Sequence, residues 1–136
     1  MITRRALMGQ AATLSAAAAL GAVAAPAAFA GDMKGRTGMF EGRSNHVTTG
    51  TAHIVEEDGR RFVVLGDDFS LDGGPDPRVA LGKDGTYDPD TMLGALLDLN
   101  GKQRYAVPPT WDISAHNEVY IWCEVAGVPL GVASVK

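Results

Sequence analysis

Cysteine is the scarcest residue in this chain of 136: there is one, Cys123. A single thiol excludes an intrachain disulfide, dithiol exchange through Cys-x-x-Cys, covalent haem through Cys-x-x-Cys-His and a four-cysteine iron–sulfur cluster. A blue-copper site is closed as well, because Glu124 to Lys136 contains neither the histidine nor the methionine that would complete the ligand set. Basic residues are few, 12 Lys and Arg against 16 Asp and Glu, and they form no cluster, which argues against nucleic acid or anionic lipid as a partner. Leu81-Gly82-Lys83 lacks the earlier glycine of a phosphate-binding loop. Asp112, Ser114 and His116 have the residue types of a hydrolytic triad, but they crowd into one segment and no nucleophile elbow is present. None of these motifs points to a stand-alone enzyme.

Long apolar runs are also missing after residue 30. Before it, Arg4 and Arg5 make a basic start, Ala11 to Ala25 a weakly apolar stretch, and Ala28-Phe29-Ala30 puts small residues at minus three and minus one. This pattern predicts an export signal over 1–30, of twin-arginine type, cleaved after Ala30. The remaining 31–136 is then one domain with no membrane span, periplasmic or secreted. The signal removes two arginines and no acid, leaving ten basic and 16 acidic residues, a net charge of −6.

What the mature chain has in quantity is short apolar runs bounded by Gly, Pro, Asn and Asp. Such runs predict an all-β, single-domain antiparallel sandwich or barrel of about eight short strands. The runs are Gly38 to Arg43, Val47 to Val55, Arg61 to Leu65, Arg78 to Leu81, Leu96 to Leu99, Gln103 to Val107, Val119 to Val125 and Val128 to Val135. Glu57-Asp58-Gly59 and Asn100-Gly101 read as hairpin turns, whose central residues need positive φ. Asp88-Pro89-Asp90-Thr91 reads as one helical turn, capped by Asp88 and opened by Pro89, with Met92, Leu93, Leu96 and Leu97 on one side.

Alternation along a strand places Val119, Ile121, Cys123 and Val125 on one face and Tyr120, Trp122 and Glu124 on the other. Two readings of Cys123 follow. As a free cysteine in an apolar row it is a small buried hydrophobe. As a lone exported thiol it is a redox group or the ligand of a prosthetic group, with Trp122 covering the site from beside it. His46, His53 and His116 have no metal spacing with one another, so each reads first as a structural residue and second as a distant partner for the thiol. Asp67, Asp68, Asp72 and Asp76 crowd a glycine-rich loop that could hold calcium, although the Asp-x-Asp-x-Asp-Gly spacing is missing and a plain turn explains the composition.

Gly38-Met39-Phe40, His46 with Gly50 and Ala52, Asp67-Asp68-Phe69, Gly74-Pro75-Asp76-Pro77, Gly101 to Pro108, Val119-Tyr120-Ile121-Trp122-Cys123 and Val128 to Ala133 together resemble the DM-thirteen domain. The resemblance spans the mature chain. It implies a β-rich extracytoplasmic electron-transfer domain whose cysteine works in redox chemistry, as a naked thiol or as a ligand of a group such as haem. It carries over Cys123 as the central residue, with His46 and Asp76 as motif positions, and makes Cys123, His46 and Trp122 the candidate cofactor-binding set. An envelope redox protein is the implied partner. The competing class is a non-redox extracytoplasmic binding or structural module with Cys123 in its core, and a calcium-dependent adhesion role is a third.

Overall fold

The computed structural model describes residues 34–136; the expected signal at 1–30 lies outside them. The strands are β1 (Lys34–Gly42), β2 (Thr48–Thr49), β3 (Thr51–Glu57), β4 (Arg60–Leu65), β5 (Ser70–Leu71), β6 (Pro77–Lys83), β7 (Thr86–Asp88), β8 (Gly94–Ala95), β9 (Gln103–Val107), β10 (Glu118–Cys123) and β11 (Val128–Ser134). One antiparallel sheet runs β7-β6-β10-β11-β1-β3-β4-β9, with β8 also on β6; β2 and β5 form a separate pair. The sheet curls into a half-barrel, so the expected all-β antiparallel fold is present. Its concave face holds one apolar core that includes Ile54, Leu65, Leu81, Ile121 and Leu130.

Local chemistry explains the breaks. Val47 to Val55 is not one strand, because Gly50 adopts φ +104° and turns the chain between β2 and β3. A β-carbon there would lie 2.5 Å from the Phe69 backbone, so only glycine fits. Asp58 and Gly59 join β3 to β4 with φ of 51° and 78°, the two-residue turn with both centres positive that suits a twisted hairpin.

Leu96 to Leu99 is not a strand. Leu97 and Leu99 are exposed, and the N–H groups of Leu97 and Asp98 donate to the side chains of Gln103 and Tyr105 rather than to a ladder. Gly101 does turn, at φ +96°, but no hairpin precedes it. The turn at Pro89–Thr91 forms as expected, with Asp88 accepting from the Asp90 N–H at 2.9 Å. Of the apolar residues after it, Leu93 and Leu96 pack on the core and Leu97 does not.

That turn splits β7 from β8, which lie end to end along the same edge of β6. Thr91 fills the gap: its hydroxyl accepts from the Leu81 N–H at 3.0 Å and lies 3.1 Å from the Leu81 carbonyl. A side chain therefore completes the ladder where the backbone bends away. On the opposite flank, the loop after β9 brings Ile113 into the core, held by Arg36 on the Ile113 and His116 carbonyls and by Arg61 on the Trp111 carbonyl.

Candidate functional site

Cys123 is the last residue of β10, paired across the ladder with Val128 on β11 and Pro77 on β6. Its side chain is wholly buried within the apolar core. The hairpin closes just beyond it: the Gly127 N–H donates to the Cys123 carbonyl at 2.8 Å and the Glu124 N–H to the Asp76 carbonyl at 3.1 Å. The expected strand thus stops two residues early. Val125 sits in the turn and is exposed, not in the row shared by Val119, Ile121 and Cys123.

Two features weaken the ladder at this end. The register shifts between Ile121 and Trp122, and Trp122 pairs with Pro129, which has no N–H to donate. Trp122 points to the outer face of the sheet, opposite the thiol, where it stacks on Tyr87 with ring centroids 3.8 Å apart and planes 8° apart. Tyr120 meets Tyr87 edge-on at 6.0 Å. Gly82 makes this possible, because a β-carbon on it would come within 2.2 Å of Tyr120 Cε1. Burial, reinforced by Glu118, pushes the Tyr120 phenol up to about 12, so it is a neutral hydrogen-bonding group at physiological pH.

His46 and His116 are engaged by carboxylates, and His53 lies on β3 opposite Thr37 of β1 and Val64 of β4. His46 Nδ1 lies 2.9 Å from Asp72 Oδ1, whose other oxygen accepts from the Val47 N–H. His116 Nε2 lies 2.8 Å from Asp88 Oδ2, and its Nδ1 is buried without a partner. Ser114 Oγ donates to Asp112 at 2.7 Å, so Asp112, Ser114 and His116 do not form a relay. In the acidic loop, Asp68 accepts from the Thr51 N–H and hydroxyl and Asp76 pairs with Arg78 at 3.0 Å. Among the described residues, no group of three His, Cys, Asp or Glu side chains is placed to hold a metal ion.

Cys123, His46 and Trp122 are therefore not gathered around one cavity. Among the described residues, one cleft is lined by Arg36, Glu56 and Arg61, another by Tyr87, Tyr120 and Trp122 and a third by Lys83, Asp88 and Pro89, and Cys123 lines none of these. A haem bound through Sγ would need the space that core side chains fill, so the residues around the thiol do not fit that group. What they offer is a single sulfur in an apolar setting, one residue from a surface aromatic stack. Alternation along β10 makes the Tyr120–Trp122 pair readable in the sequence; Tyr87 is not, because nothing there reveals that β7 lies beside β6.

A family model described as electron transfer DM13 matches residues 39–135. No curated protein and no solved structure matches the chain.

Proposed function

This chain belongs to the electron transfer DM13 family, and on that premise we propose that it is an exported redox domain in which Cys123 gains and loses the electron. The observation that carries the reading is the position of the only thiol, fully buried at the end of β10 and next to an exposed hairpin turn. Burial protects a lone sulfur in an oxidising compartment, because disulfide exchange requires direct attack at sulfur. An electron requires no such contact. Oxidation takes one electron from Sγ to the acceptor group of an envelope redox protein and releases the thiol proton to solvent; reduction reverses both.

Protein-film voltammetry on the chain exported by its host tests the assignment. The expected result is a wave that Cys123→Ala eliminates while the circular dichroism spectrum is unchanged; an identical wave in the variant, or none in either protein, refutes it. Export itself rests on residues 1–30. Arg4→Lys combined with Arg5→Lys should leave an unprocessed precursor in the cytoplasm, and normal processing of that variant would remove the twin-arginine route.

The complete burial of Cys123 also favours a second reading, a non-redox binding module in which the sulfur only packs. Under it, Cys123→Ala is silent in every functional measurement.

A further inference from the structure

The outer face of an antiparallel sheet ordinarily carries polar side chains. Around β10 it carries Tyr87, Tyr120, Trp122 and Pro129, which line a groove of about 340 Å³ together with Gly85 and Thr86. We propose that this groove binds an extended, proline-containing segment of a partner protein that carries lysine or arginine beside its prolines. The proposal does not depend on the chemistry of Cys123.

Three observations support it. The lining is aromatic and amphipathic: Tyr87 stacks on Trp122, Tyr120 stands edge-on to Tyr87, and Pro129 forms another side. Grooves of this composition accept polyproline-type segments, whose rings lie flat on aromatic faces and whose backbone is already extended before binding. The size is at the low end of ligand sites, which suits a few residues crossing a surface and not a macrocycle. The charge selects a cationic partner. Arg43 is paired with Glu41 and Arg78 with Asp76, whereas Glu118 and Glu124 have no ion-pair partner among the described residues. Glu118 instead accepts from the Gly85 N–H at the groove wall, which fixes its carboxylate there. Lys83, nearby beside Tyr87 and Asp88, is the opposing charge a partner must avoid.

The test titrates the full chain with three synthetic peptides of about ten residues each, long enough for three turns of polyproline helix. One has prolines flanked by arginines, one the same prolines flanked by glutamates, and one glycine and serine flanked by arginines. The arginine–proline peptide should bind with a dissociation constant on the order of 10–500 µM by calorimetry, and each control at least about ten-fold more weakly. Tyr87→Ala should lose about ten-fold or more, and Glu118→Gln with Glu124→Gln about three-fold, an effect that about 0.5 M salt should reproduce in the unchanged protein. The paired glutamine variant keeps the test valid should Tyr87→Ala melt early. No binding, or equal binding of either control peptide, overturns the proposal. Sedimentation at the same concentrations completes it: a dimer abolished by Tyr87→Ala would make a second copy of the chain the occupant and overturn it as well.

Discussion

Among single residues, Cys123 and Gly82 have the sharpest consequences. The thiol is wholly buried in the apolar core, so Cys123→Ser places a hydroxyl among apolar side chains and should cost about 1–3 kcal/mol. Cys123→Ala removes only the sulfur and should cost about 1 kcal/mol. Urea unfolding of both variants checks the order, and a serine variant as stable as the alanine one would show that the hydroxyl finds a hydrogen-bond partner there. Gly82→Ala drives a methyl group against Tyr120 and against the Thr86 carbonyl 2.6 Å away. Because one of those neighbours is backbone, the strand must shift, costing about 1–3 kcal/mol and altering Trp122 fluorescence. Cys123 was legible because scarcity marks it and period-two alternation fixes its face. Tyr87 was not, since its importance comes from a pairing across β6 that no local pattern encodes.

For elements, the strands that run through the core were legible and the short ones were not. β3, β4, β6, β9, β10 and β11 bury a continuous or alternating apolar face, so composition announces them. β7 and β8 are three and two residues long and lie on the edge that the longer β6 offers them, while β5, two residues long, pairs only with the equally short β2. Leu96 to Leu99 misleads in the opposite direction: its leucines have strand spacing, yet Gln103 and Tyr105 capture its N–H groups. Thr91 links β7 and β8 to β6 through one hydroxyl. Thr91→Val keeps the shape and strands the Leu81 N–H, so a loss of about 1–3 kcal/mol is expected. Hydrogen exchange should report it as faster exchange at Leu81.

Across the described domain, carboxylates rather than cross-links hold the loops, to the sheet or within themselves. Asp68 is held below the usual carboxylate value by the Thr51 hydroxyl, Asp72 by the Val47 N–H, Asp88 by His116 and Asp112 by the Ser114 hydroxyl. Each is more acidic folded than unfolded, so its contribution is complete above the ordinary value of 3.8 and disappears as pH falls through the depressed folded values. The melting temperature should therefore change little on going from about pH 7 to 5 and fall steeply below about pH 4, with a shallower fall in Asp68→Asn. An unchanged acid slope in that variant would remove the loop anchor at Thr51.

An open sheet has rims, and a rim with free amides and carbonyls recruits strands from other chains until fibrils form. On the β6 side that template is covered by fragments of three and two residues, with Pro89 between them and a threonine hydroxyl standing in for peptide groups. A foreign strand finds no uninterrupted register along that rim.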